Sequence, residues 1–150
     1  RRLAAMQALT SDARAAGGRL LAGGEQGAER GNFWLPTVID SPGETARVLR
    51  EEPFGPLAIL IPYDRLEDAV VQANALEYGL GSFGFTSSLT TAQFLQDNVK
   101  AGSLSINTFA ITPPEVPFGG IKLSGVGREM GFEGLLEHFD VKTVIRATHA

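Results

Sequence analysis

The residues of this chain that could act on a bound molecule lie in two short stretches. One is Glu51-Glu52-Pro53-Phe54-Gly55-Pro56, and the other is Phe118-Gly119-Gly120-Ile121-Lys122-Leu123-Ser124-Gly125-Val126-Gly127-Arg128-Glu129. The glycine-rich stretch suggests a phosphate cradle, but its spacing disagrees. A P-loop, G-x-x-x-x-G-K-[ST], needs lysine directly after its second glycine, and Val126 follows Gly125; a dinucleotide fingerprint needs G-x-G-x-x-G, whereas Gly125, Gly127 and Gly131 give G-x-G-x-x-x-G. The glycines therefore read first as a tight loop that allows close backbone approach and presents Phe118. Gly127 leads towards a helix start, but Glu129 in the first turn already complements the helix dipole, leaving little there for an anion. In the proline-rich stretch, Pro53, Gly55 and Pro56 remove donors and restrict φ, so the backbone must be a rigid, irregular loop. Adjacent glutamates usually face apart, which argues against an acid/base pair; by residue type alone each is a solvated carboxylate, and Phe54 is a core plug.

The composition removes several other chemistries. With no cysteine in 150 residues there is no disulfide framework, no thiolate-bound zinc or iron–sulfur cluster and no thiol nucleophile. The two histidines, His138 and His149, leave no material for a metal triad or a Ser-His-Asp arrangement, and His138 reads as a helix-end residue. A net charge of −4 gives no electrostatic reason to expect nucleic acid or an anionic membrane surface as a partner. No run approaches the ~20 apolar residues of a membrane span, and the Arg1-Arg2 start lacks a cleavage-like segment, so a cytoplasmic location is expected. Length and the balance of apolar to charged residues suit a single globular domain over residues 1–150. The first residue is not Met, and a piece of a longer product is one expectation that follows.

The elements that must hold the two stretches follow from periodicity. Residues 1–16 form a helix stopped by Gly17-Gly18, and strands are expected at 19–22 and 33–39, with Pro36 at a break. A charged helical turn precedes the Pro-rich loop. Leu57-Ala58-Ile59-Leu60-Ile61 is a continuous apolar run, the mark of a strand buried on both faces. Asp64 and Glu67 make a capping-box-like start for the next helix, followed by a strand at 83–86, a helix at 90–100 stopped by Gly102, and a strand at 104–107. That alternation implies right-handed crossovers and a parallel three-stranded core, hence an α/β fold. A helix at 128–138 and a strand at 141–146 complete the expectation.

Taken together, these segments resemble the aldehyde dehydrogenase superfamily, specifically the C-terminal part of its catalytic domain. The resemblance runs from Gly23-Gly24 and Pro36-Thr37-Val38 through Glu51-Glu52-Pro53-Phe54-Gly55-Pro56, Asn74 and Tyr78-Gly79-Leu80. It continues through Gly102, Asn107, Pro117-Phe118-Gly119-Gly120-Ile121-Lys122, Ser124-Gly125 and Gly127-Arg128-Glu129. Pro53 departs from the pattern, many members carrying an aliphatic residue there. The fold implied is the parallel three-layer αβα sheet core of that catalytic domain, incomplete here.

The resemblance implies oxidation of an aldehyde to a carboxylic acid with NAD or NADP, through a cysteine thiolate and a glutamate-activated water. Glu52 matches the glutamate that accepts hydrogen bonds from the nicotinamide ribose, and Phe54 the aromatic residue beside it. Phe118 matches the aromatic lining of the aldehyde pocket, and residues 108–116, with Ala110 and Thr112, occupy the place of the substrate-discriminating loop. Glu129 matches a glutamate of a proton relay in some members, with a helix-start carboxylate an equal reading. The loop is most similar to that of the semialdehyde-oxidising branch, in which a hydroxyl residue at the place of Thr112 helps bind the distal carboxylate of succinate semialdehyde; alternatively, Phe109 and Ile111 line a pocket for an apolar aldehyde. The nucleophilic cysteine, the general-base glutamate and the Rossmann-type cofactor domain all lie upstream of the matched region, so the chain is expected to be inactive alone. Homo-oligomerisation, with residues 141–146 as the strand that mediates it, or association with the N-terminal remainder is expected. Two competing readings are a non-catalytic oligomerisation or scaffold module and, less well supported, a nucleotide-binding module.

Overall fold

The computed structural model describes residues 1–28 and 30–147. His149 lies outside them. The chain divides into two compact units, Arg1–Ala69 and Val70–Ala150.

In the first unit, α1 (Arg2–Ala15) buries Met6, Leu9, Thr10 and Ala13, the i, i+3, i+4, i+7 stripe of an amphipathic helix. Gly17, at φ +92, lets the chain leave the helix in the left-handed region. β1 (Arg19–Ala22) runs antiparallel to β2 (Thr37–Asp40), which runs parallel to β3 (Leu57–Leu60) with Thr37 opposite Leu57 and Asp40 opposite Leu60. The strand expected at 33–39 thus begins only after Pro36, whose missing N–H cannot join a ladder. Ala13, Ile39, Ala46 and Val48 form the core, with Leu20, Leu57 and Ile59 packed against it. Thr37 locks the turn beside β2: its Oγ accepts from Gly24 N and Trp34 Nε1, both at 2.9 Å, and donates to the Leu35 carbonyl at 2.8 Å. β3 departs from expectation: Leu57 and Ile59 are half-buried while Ala58 and Leu60 are exposed. The first unit supplies a core for only one of its faces.

α2 (Leu66–Asn74) spans the boundary between the units. Its expected capping box does not form: Arg65 O accepts from Asp68 N and Ala69 N, and no Asp64 side-chain bond occurs among the described residues. The second unit continues with β4 (Tyr78–Gly79), β5 (Gly81–Gly84), α3 (Leu89–Asn98, capped by Ser88), β6 (Ser103–Ile106), β7 (Ile121–Lys122) and α4 (Gly131–Leu136). β5 and β6 pair in parallel, and β4 pairs with β7 antiparallel. The single parallel three-stranded core is therefore corrected. β3 pairs with β2 and β5 with β6, in separate sheets, because strand partnership depends on contacts that local alternation does not encode. Gly102 is required not by a left-handed φ but by contact, since a Cβ there would run into the Gly119 carbonyl. The expected helix at 128–138 shrinks to α4, because Glu129 is drawn into a bridge with Phe118 and Met130 and Gly131 sit at φ +59 and +58. The expected strand at 141–146 is irregular in the structure: it joins no ladder among the described residues and exposes Val141, Val144 and Ile145.

Candidate functional site

The loop at residues 51–56 is pinned on both sides within the first unit. Arg47, in a 3₁₀ turn at Arg47–Leu49, donates its backbone N–H to Asp12 Oδ2 on α1 at 2.7 Å. Its guanidinium reaches Glu51 in bidentate fashion, Nε to Oε1 at 2.7 Å and Nη2 to Oε2 at 2.9 Å. Those hydrogen bonds hold the Glu51 carboxyl below its ordinary range and raise the Arg47 guanidinium. On the other side Pro56 O accepts from Thr37 N at 2.8 Å, Gly55 O accepts from Leu57 N at 2.7 Å, and Gly55 lies so close to the Met6 thioether that a Cβ would collide.

This anchoring separates the two glutamates. Both oxygens of Glu51 are occupied by Arg47, whereas Glu52 is exposed and has no side-chain partner among the described residues. No acid/base pair forms. Phe54 is not a core plug: it stands at φ +43, 68% exposed, with the Arg2 guanidinium 5.0 Å from its ring centroid. A left-handed aromatic residue on a stiffened loop carries strain that persists only where the surroundings hold it. Arg47 was invisible as a site residue in the sequence, although its i, i+4 spacing to Glu51 was the available signal.

In the second unit Phe118 is tied to Glu129 by a pair of backbone bonds, Phe118 N to Glu129 O at 2.8 Å and Glu129 N to Phe118 O at 2.7 Å. Arg128 Nη1 donates to the Gly120 carbonyl at 3.0 Å and to the Gly127 carbonyl at 2.6 Å, closing the glycine loop with backbone contacts. An open cleft of about 350 Å³ results, with Leu80, Phe118, Arg128, Glu129 and Glu137 among its lining side chains. Glu129 is therefore not a first-turn helix residue; it lies ahead of α4 at the cleft. His138 lies just beyond α4, its Nδ1 2.9 Å from the Gly134 carbonyl.

The cleft brings Phe118 and Glu129 together but leaves out Ala110 and Thr112, which are exposed on the preceding loop. That loop is anchored at its start. Asn107, at φ +58, accepts from Thr86 N through Oδ1 and donates to Thr86 O through Nδ2, both at 2.8 Å, while Ser105 Oγ donates to the Ala110 carbonyl at 2.7 Å. Phe109 packs between Phe83 and Phe85, with ring centroids 5.5 and 5.0 Å away, and Ile111 lies over Gly81. Among the described residues no group of three or more His, Cys, Asp or Glu side chains gathers to hold a metal, and no helix is long and apolar enough to cross a membrane.

Comparison with known proteins shows the family. Residues 1–144 match the aldehyde dehydrogenase family. The chain is 42% identical over 132 residues to a betaine aldehyde dehydrogenase of Cereibacter sphaeroides, covering 88% of this chain and 27% of that protein. It is 39% identical over 130 residues to a probable NADP-dependent succinate-semialdehyde dehydrogenase of Synechocystis, covering 87% of this chain and 29% of that protein. Among solved structures, the betaine aldehyde dehydrogenase of Staphylococcus aureus in complex with NAD+ superposes with a TM-score of 0.84 at 32% identity, covering 91% of this chain and 28% of that one. The chain thus spans between a quarter and a third of the length of these relatives.

Proposed function

The chain belongs to the aldehyde dehydrogenase family, and on that premise we propose that it forms part of an NAD- or NADP-dependent enzyme oxidising an aldehyde to a carboxylic acid. The observation that carries the cofactor role is the contrast between Glu51 and Glu52: one carboxylate is consumed in bracing the loop, and the other is left open beside Phe54. A vicinal diol offers two O–H donors, and an ionised carboxylate held on a stiff loop is suited to accept both. The residues present therefore fit one end of the cofactor, with Glu52 receiving the ribose hydroxyls and Phe54 beside it. When bound, the nicotinamide supplies the hydride acceptor. Glu52 would orient it, Phe118 would form a wall of the aldehyde pocket, and Glu129, at the same cleft, would be placed to pass a proton.

The thiol nucleophile must come from elsewhere, because this chain contains no cysteine. We propose that the isolated chain is inactive, acting with the remainder of the enzyme in the cytoplasm, in association with that remainder or with further copies. The exposure of Phe85, Phe109, Phe132 and Phe139, each more than half open, supports such an association over a self-sufficient scaffold module.

For the substrate, the semialdehyde reading is favoured by the packing of the loop. Ile111, one of the side chains an apolar aldehyde would need, is turned onto Gly81 of β5, while the Thr112 hydroxyl is exposed and makes no hydrogen bond among the described residues. A hydroxyl donor gains more from a distal carboxylate than from a neutral group.

The test of the cofactor role is Glu52→Gln in the intact enzyme, followed by single-turnover NAD(P)H formation. Loss of a charge-assisted acceptor pair should slow the hydride step roughly tenfold to hundredfold, with a smaller change in cofactor Kd. An unchanged hydride step contradicts the role given to Glu52.

A further inference from the structure

Between Phe118 and β7 stand Gly119 and Gly120, which are held through their backbone alone, Gly119 against Gly102 and the Gly120 carbonyl by Arg128, so the direction of the Phe118 ring also depends on what holds the chain on either side. The Glu129 bridge holds it upstream. Downstream, β7 offers only the pairs Ile121 with Gly79 and Lys122 with Tyr78, a ladder too short to be stable alone. Lys122 supplies what the ladder lacks. Its Nζ donates to the carbonyls of Asn74 at 2.9 Å and Leu76 at 2.7 Å, where α2 ends and its carbonyls have no partners within the helix. Asn74 extends the contact: its Nδ2 donates to the Asn98 carbonyl and its Oδ1 accepts from Lys100 N, both at 2.7 Å, at the end of α3. Lys122 itself sits at φ +56, a left-handed conformation unfavourable for a lysine, held by the tie at the far end of its side chain together with the backbone bond from Leu123 N to Glu77 O at 2.9 Å. Ser124 Oγ accepts from Gly79 N at 2.9 Å and fastens the next turn.

From this geometry we infer that Lys122 is a positioning residue for the aldehyde pocket. It pins β7 to the ends of α2 and α3 and so sets where Phe118 stands. The inference rests on the assignment of Phe118 as a pocket wall. Lys122 touches neither aldehyde nor cofactor; it acts through the backbone of residues 119–121.

The experiment is a double-mutant cycle in the intact enzyme with Lys122→Met, Lys122→Arg, Phe118→Leu and the double variant Phe118→Leu/Lys122→Met. Lys122→Met is expected to raise the aldehyde KM about fivefold to tenfold, with kcat and cofactor KM nearly unchanged, because it disturbs binding geometry and removes no reacting group. Lys122→Arg, which keeps a cation able to donate to both carbonyls, should restore most of the loss. Once the Phe118 ring is gone, removing Lys122 should add little, so the double variant should resemble Phe118→Leu. An unchanged aldehyde KM in Lys122→Met, or effects of the two substitutions that simply multiply, overturns the inference. Should Lys122→Met not fold, Lys122→Gln takes its place in the cycle, and failure of both while Lys122→Arg folds assigns the lysine to stability alone and likewise overturns it. If Phe118→Leu leaves the aldehyde KM untouched, the pocket assignment itself falls, an outcome read without reference to Lys122.

Discussion

Replacing Asn107 tests whether the substrate loop is anchored as the structure indicates. The residue contributes two side-chain hydrogen bonds to Thr86 and occupies φ +58. It is exposed, so water re-solvates Thr86 when the side chain is lost, and the two bonds together are worth only about 1–2 kcal/mol, the low part of the usual range. Asn107→Ala loses that and adds the amount by which alanine tolerates the left-handed region less well than asparagine, at most about 1–2 kcal/mol, for a total of roughly 1–4 kcal/mol. Asn107→Gly loses the same bonds without the strain, but the unfolded chain gains freedom that disfavours folding by roughly 0.5–1 kcal/mol. The glycine variant should therefore be the more stable of the two by up to about 0.5–1 kcal/mol, the reverse of the order found where φ is negative. Hydrogen exchange of the β5 and β6 amides at several urea concentrations reads this free energy for the second unit alone. An alanine variant more stable than the glycine variant, or parent-like protection of the Thr86 amide in both, would refute the reasoning.

Three further outcomes are expected. The Glu51 carboxyl is held below its ordinary range by Arg47, so its stabilising contribution is present above the unfolded-state pKa and is lost as pH falls through the folded-state value; the Tm difference between the parent and Glu51→Gln should be positive near neutrality and vanish in acid, and a pH-independent difference contradicts the ion pair. Thr10 is 2% exposed and its Oγ has no partner among the described residues, so Thr10→Val should raise unfolding stability by about 1 kcal/mol in denaturant titrations, whereas a loss of that size would mean the hydroxyl is satisfied. In the intact enzyme, Thr112→Val should lower the ratio of kcat/KM for succinate semialdehyde over butyraldehyde by roughly tenfold, since a hydrogen bond to a charged group is lost from one substrate only, and an unmoved ratio defeats the carboxylate reading.

Much of the local structure was legible in the sequence because its causes are local. α1 and its glycine stop, the irregular backbone of residues 51–56 and the parallel pairing of β5 with β6 across α3 follow from periodicity, proline chemistry and the handedness of crossovers. So did the family, since several short motifs in one order specify more than any one of them. What the sequence left open depends on residues far apart in the chain. The partner of β3 turned out to be β2, and residues 141–146 join no ladder among the described residues, since strand pairing depends on a partner that the segment's own pattern does not name. The site divides the same way. Glu52 and Phe118 stood out through the family resemblance, but residue type alone left the two glutamates alike, and the tertiary structure supplied the physical difference by giving both oxygens of Glu51 to Arg47. Lys122 and Asn74 lay in the sequence as motif residues without a role. Their function depends on an ammonium meeting carbonyls 46 and 48 positions away, a coincidence in space that no window of residues records.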